Sequence, residues 1–340
     1  MPKQSFSRYT LVLLVGIGLI AIAAYTSLTN GSFDITVRDV LHTLLRINPS
    51  PENDLVILEF RLPRIVIAGL VGMGLAIAGT VIQGITRNGL ADPGILGINA
   101  GAGAAIVIFM FFFQGKLHGT GWWGIMTMPL FGLVGGLASA VLIYLFSWKN
   151  GRIDSQRLIL TGIAIGAGFS ALALFLTLKM DAKDFEMAAV WTSGSIYSAN
   201  WKYVVSILPW LIILIPLIRR SAYTLDLFQL EESSVKSLGV RVERQKGILL
   251  LGSIGLVSAC VSVSGGIGFI GLMSPHIAKR LVGVHHNRVL PVSAVIGMLL
   301  VIGSDFIAKT VFDPVELPVG VVISIIGVPY FIYLLFKAKA

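Results

Sequence analysis

The chain has 340 residues, 55% of them hydrophobic and 13% charged, with a formal net charge of +9. An ordinary soluble domain carries roughly a quarter charged residues. A water-soluble globular fold is therefore excluded, and the surplus of cations has no polar body on which to build a nucleic-acid surface.

The first element is the stretch "MPKQSFSRYTLVLLVGIGLIAIAAYTS", in which Lys3 and Arg8 precede a long apolar run. Such a pattern is shared with signal peptides, but the length of the run and the many hydrophobic stretches after it favour an uncleaved span over 9–28. Next comes "DITVRDVLHTLL", which places Val37, Val40, Leu41, Leu44 and Leu45 on one helical face and predicts a short helix lying along the membrane surface. Further spans are predicted at 63–84, 94–114, 124–147, 157–178, 201–218, 247–265, 267–283, 290–310 and 316–336. The eighth is short and carries Pro275. The 38 glycines suit close approach of such helices. Cys260 is the only cysteine and lies inside an apolar run, so no intrachain disulfide can form. The expected fold is an all-α polytopic membrane protein, a single transmembrane domain over 1–340.

Charge orients these spans. With the N-terminus inside, the inner segments hold 17 Lys and Arg and 6 acids, and the outer segments 9 and 11. The inner net charge of +11 against −2 outside follows the positive-inside rule and predicts cytoplasmic termini. The largest inner loop is then 219–246, whose portion "LDLFQLEESSVKSLGVRVERQ" is a polar island between apolar spans.

Chemistry-bearing motifs are few. No G-x-x-x-x-G-K-[ST] loop is present to cradle ATP. His276, His285 and His286 lack i, i+4 spacing and a nearby carboxylate, so a packed His276 beside Pro275 is a better reading than a metal site. No nucleophile–base arrangement stands out. Asp305 and Lys309 can pair at i, i+4 near the outer end of the ninth span, and Glu316 begins the tenth at that level. No carboxylate falls near the middle of a span, where ion-coupled carriers keep their coupling sites. The glycine-dense stretch "GITRNGLADPGILGINAGAGAA", containing Pro93 and Asn99, has two readings: a tight turn and packed helix, or backbone lining a pathway.

Taken together, "RLPRIVIAGLVGMGLAIAGTVIQGITRNGLADPGILGINAGAGAA", "WTSGSIYSANW", "GGIGFIGLMSPHIAKRLVG" and "ELPVGVVISIIGVPYFIYLL" resemble the FecCD-type permeases. These are membrane subunits of type II ABC importers for iron–siderophores, haem and cobalamin, and the similarity runs the length of the chain. The resemblance implies about ten transmembrane helices in the type II importer fold. It implies as partners two ABC ATPase subunits, an extracytoplasmic binding protein and a second permease subunit, identical or paralogous, with ATP and Mg bound by the ATPases and no cofactor on this chain. The 219–246 loop becomes an ATPase-coupling surface. There Leu230, Val235 and Leu238 give an apolar face, Glu231, Glu232 and Lys236 a charged one, and Gly239 a helix C-cap.

The same resemblance makes Arg61 and Arg64 docking residues for the binding protein, with Lys309 standing where relatives often carry arginine and lacking its bidentate fork. Anchoring of the second span at the interface is the other reading of the two arginines. "IDSQRL" matches an inner gate at Asp154 and Ser155, and the fifth span, with Gly162, Gly166, Gly168 and Ser170, would line the pathway together with Pro93 and Asn99. Ferric siderophore is the expected cargo, with cobalamin or haem next. An ion-coupled secondary transporter and a membrane-embedded enzyme are the alternatives of other classes.

Overall fold

The computed structural model describes residues 6–30, 35–47, 50–94, 97–113, 122–149, 152–153, 155–312 and 315–338. For orientation, the face carrying the start of the first helix and the end of the last is called inner. Arg8 at that start donates to the Arg280 carbonyl at 3.4 Å, and Arg280 in turn lies 5.7 Å from the Tyr333 ring on the last helix.

Helix α1 (Phe6–Thr29) leads to the short α2 (Val37–Leu44) and α3 (Pro51–Asp54), then a π-helical turn over Leu55–Arg61 that runs into α4 (Leu62–Thr86). After a non-helical stretch come α5 (Ile98–Phe113) and α6 (Trp122–Ser147). The two-residue strands β1 (Trp148–Lys149) and β2 (Arg152–Ile153) pair antiparallel, Trp148 opposite Ile153. Then follow α7 (Ser155–Thr177), α8 (Ala182–Thr192) and α9 (Trp201–Arg220). Two short helices, α10 (Ala222–Leu227) and α11 (Glu232–Ser237), precede α12 (Val242–Ser264), α13 (Ile270–Val282), α14 (His286–Thr310) and α15 (Val319–Ala338).

Among the described residues eight helices are long and apolar enough to cross a bilayer, and Ile98–Phe113 is a shorter apolar one. With the thirteen-residue α13, ten helices match the ten expected spans in order. The third and eighth are shorter than expected, because 87–94, 97 and 265–269 are non-helical backbone. Pro275 sits inside α13 without ending it. The expected short helix is α2: Thr36 and Asp39 form a capping box, Val40 packs under the helix, and Val37, Leu41 and Leu44 stay exposed.

The centre of the bundle is α4 and α12, whose most apolar windows are each 83% buried, whereas that of α1 is 6% buried. Small residues explain how α4 can be enclosed. A Cβ on Gly72 would lie 2.2 Å from the Gly297 carbonyl oxygen of α14, so the two backbones meet only because both positions are glycine. The same seam carries the Thr80 and Ser293 hydroxyls, 3.0 Å apart. In a lipid surrounding, packing and such hydrogen bonds, not hydrophobic burial, hold helices together.

Candidate functional site

A cavity of about 750 Å3 lies between α5, α7, α8, α15 and the 265–269 turn. Local chemistry shapes the broken backbone that borders it. Arg87 ends α4 in a left-handed conformation and donates to the Phe228 carbonyl. Asp92 folds the next turn by accepting the Gly94 N–H at 2.6 Å. Gly97, at φ +76°, brings the chain against α7, where a Cβ would stand 2.5 Å from the Gly162 carbonyl. From the opposite side, Gly265 passes so close to the Trp191 carbonyl that a Cβ would be 2.0 Å from it. Phe269 then opens α13 at φ 64°, a left-handed conformation that costs a bulky residue about 1–2 kcal/mol. Non-helical backbone inside a bundle of this kind is tolerated where it is buried in protein or faces a cavity.

The cavity wall is mostly apolar, with Trp191, Phe185, Phe269 and Phe331 prominent. Its polar points are few: Asp92, Asn99, Ser170, Thr177, Thr192 and Ser324. The Asn99 Oδ1 is buried with no hydrogen-bond partner among the described residues. No group of three or more His, Cys, Asp or Glu able to hold a metal occurs among the described residues. A volume of this order, apolar with scattered polar groups, suits a small organic ligand.

The expected pathway residues divide. Asn99 and Ser170 line the cavity. Pro93 and Gly166 stand behind its wall, Pro93 against Gly271 and Gly166 against Gly97. Ser155 begins α7, and Asp154 lies outside the described residues. Trp191 and Phe269 were not singled out from the sequence, although both fall in motifs quoted above.

At the outer end the three expected docking cations turn inward. Arg61 is 9% exposed and donates to the Leu28 carbonyl of α1. Arg64 forms a fork with Asp305, with Nε 3.0 Å from both carboxylate oxygens and Nη2 at 2.8 Å, while its Nη1 is 2.8 Å from Glu316. The Tyr197 ring covers it at 5.8 Å. Asp305 therefore pairs with Arg64 and not with Lys309, which reaches the Ser27 carbonyl at 2.7 Å and the Ser27 hydroxyl at 2.8 Å. A bidentate arginine outcompetes a flexible ammonium for the same carboxylate. All three side chains are thus engaged within the protein.

At the inner end the polar island is knitted to the bundle. Asp226 of α10 accepts the His286 N–H at 2.8 Å and lies 2.6 Å from His286 Nδ1, with His285 Nδ1 at 3.7 Å. The carboxylate missing from the local sequence of these histidines thus comes from 60 residues away. Glu232 bonds Lys236 at 2.7 Å and Lys246 of α12 at 3.2 Å. The Lys236 hydrogen bond, then Lys246, holds the Glu232 carboxyl down to about 2. Val235 is fully buried with Leu225 and Phe228 in the main core, which corrects its place on a docking face. Leu230, Glu231, Lys236 and Leu238 remain exposed. Gly239, at φ +79°, closes α11 with its N–H on the Lys236 carbonyl at 3.0 Å.

Comparison with known proteins gives concordant matches. The sequence model described as the FecCD transport family matches residues 19–337. The chain is 54% identical to the iron-uptake system permease protein FeuC of Bacillus subtilis (strain 168), covering 95% of this chain and 96% of that one. It is 44% identical to the iron(3+)-hydroxamate import system permease protein FhuG of the same organism, over 99% and 100% of the two chains. Among solved structures, a metal-chelate type ABC transporter in an inward-facing conformation superposes with a TM-score of 0.82 at 29% identity, covering 96% of this chain and 99% of that one.

Proposed function

This chain belongs to the FecCD transport family, and on that premise we propose that it is the membrane-spanning permease subunit of an ATP-binding-cassette importer for ferric iron–siderophore complexes. The observation that carries the mechanism is the cavity of about 750 Å3 bordered by broken backbone. A bare ferric ion is a hard cation that asks for several oxygen ligands. The wall offers one carboxylate, Asp92, amid aromatic and small residues. Iron therefore travels inside its chelator, and the wall meets the organic surface of the complex. Asn99 and Ser170 give that surface a few hydrogen bonds without binding it tightly enough to hold it.

In this reading a second permease subunit completes the pathway. Two ATPase subunits, carrying ATP and Mg, seat against α10 and α11, and an extracytoplasmic binding protein delivers cargo to the outer face. The protein resides in the cell membrane with both termini cytoplasmic. Leu230 and Leu238 supply the apolar contact to the ATPase and Glu231 and Lys236 the charged one. Val235, Asp226 and Glu232 fix this surface to α12 and α14, so that a displacement of the docked ATPase reaches the helices around the cavity. The iron systems named for the relatives above favour a siderophore cargo over cobalamin or haem.

Proteoliposomes holding the permease, its ATPase and its binding protein should take up ferric siderophore only with internal ATP. Ser170→Trp, which fills the cavity, should abolish uptake while leaving ATPase association intact. Uptake driven by an ion gradient with the ATPase left out would overturn the assignment.

A further inference from the structure

Helices α13 and α15 carry the wall of the 750 Å3 cavity toward the inner face, where a second space of about 560 Å3 opens. Leu272 of α13 and Phe331 of α15 line the first space. One and two turns further along the same helix faces come Lys279 and Arg280 on α13, and Leu334 and Lys337 on α15, which line the second. Leu90, Leu272, Phe331 and Leu334 pack as one apolar cluster, so a single layer of side chains floors the upper space and roofs the lower. The charge changes across that layer. Among the described residues the upper space is lined by one charged side chain, Asp92, and the lower by three cations and no carboxylate. The cations have neutral partners: the Lys279 Nζ is 3.0 Å from the Gln83 amide oxygen, and Arg280 and Lys337 lie 5.7 and 5.8 Å from the centre of the Tyr333 ring. A positive-inside bias accounts for cations at inner helix ends in general. It does not account for their gathering around one cavity directly beneath the pathway, with Lys279 part-buried there.

We propose that the lower space is an exit site for a net-negative ferric chelate, drawn inward by Lys279, Arg280 and Lys337; the proposal rests on the reading of this chain as a ferric-chelate permease whose pathway α13 and α15 border. A cleft lined by one sign of charge concentrates ions of the other sign. The charge of a ferric complex depends on its donors: three hydroxamates neutralise the metal, whereas three catecholates leave a trianion. A neutral complex gains little from such a cleft. An anion gains a direction, because the upper space holds no lining cation to trap it and its one carboxylate repels it, while attraction begins below the apolar layer. Arg280 and Lys337 are exposed, so salt screens them and the anion is released into the solution beyond.

The test compares the full-length protein with Arg280→Gln/Lys337→Gln, in phosphatidylcholine nanodiscs and in proteoliposomes of the whole importer. The probes are a ferric tris-catecholate, a trianion, and a neutral ferric tris-hydroxamate. In nanodiscs the trianion should bind the wild type several-fold more tightly than the variant, and the difference should close as salt is raised. The neutral complex should not distinguish the two proteins, and equal thermal midpoints are the folding control. In proteoliposomes the variant should take up the trianion several-fold more slowly, and Arg280→Lys/Lys337→Arg should restore both binding and uptake. Equal binding of the trianion by the two proteins, or tighter binding of the neutral complex by the wild type, would overturn the proposal. Loss of ATPase co-purification in the variant would also overturn it, by assigning the cations to the ATPase contact. Salt-sensitive binding of the trianion in nanodiscs, with uptake of neither chelate by the wild-type importer, would instead overturn the cargo reading and leave the anion site standing.

Discussion

Replacing Arg64 by lysine keeps the charge and loses the fork that meets Asp305 and Glu316 together. Removing one partner of a buried pair leaves the other charge stranded, at a cost of roughly 3–5 kcal/mol. Arg64→Ala should therefore lower the thermal midpoint of the purified protein strongly, and Arg64→Lys should recover only part of it. A docking role alone would leave both midpoints at the wild-type value. A second contrast concerns two glycines near the cavity. Gly97→Ala adds a Cβ 2.5 Å from the Gly162 oxygen at a positive φ, whereas Gly103 has nothing within 4 Å. Gly97→Ala should reduce the folded yield several-fold, and Gly103→Ala should leave it unchanged, as read by monodisperse protein recovered from membranes. Composition alone could not rank these two, because the difference lies in what stands opposite each Cα.

At the scale of elements, α11 has six residues and no intrinsic capacity to persist alone. It is held by Val235 inside the core and by Glu232 between Lys236 and Lys246. Val235→Asp should loosen the whole loop, seen as faster hydrogen exchange over 222–241. Leu238→Asp alters a 63% exposed position and should leave exchange unchanged while abolishing co-purification with the ATPase. The Glu232 carboxyl is held below its ordinary value of 4.5, to about 2. A depressed acid contributes stability that is complete above its unfolded value and is lost as pH falls through its folded one. Protection of α11 should thus be constant at neutral pH and decline only between about 4.5 and 2, while Glu232→Gln should show the loosened state at every pH.

The elements differ in how openly the sequence announces them. The long helices were legible because a bilayer permits hardly any other spanning structure, so hydropathy alone sets them within a few residues. Helix α8 was not, since "AKDFEMAAVWT" carries Lys183, Asp184 and Glu186 and reads as an outer loop. Of the site, Asn99 and Ser170 were singled out through motif and not through spacing, and both line the cavity. The destinations of Arg64, Lys309 and Asp226 were hidden, because their partners lie 241, 282 and 60 residues away.

For the molecule as a whole, the orientation can be read chemically. Cys260 is fully buried, and its thiol gives no background to an impermeant maleimide. Ser233 is exposed on α11, so Ser233→Cys reports one loop alone. Labelling should appear only after the cells are opened; labelling of intact cells would invert the topology.

The seam between Gly72 and Gly297 has a consequence for synthesis. Its two halves leave the ribosome about 225 residues apart, an interval of roughly 10–45 s at ~5–20 residues per second. Throughout that interval the smoothest face of α4, made for contact with another backbone, has only lipid or an insertion chaperone to cover it. A nascent chain stalled before α14 should therefore be held by the insertion machinery and destroyed quickly by membrane proteases. One stalled after Thr310 should survive markedly longer. One of the two most enclosed helices of the finished protein is, for most of its making, left waiting.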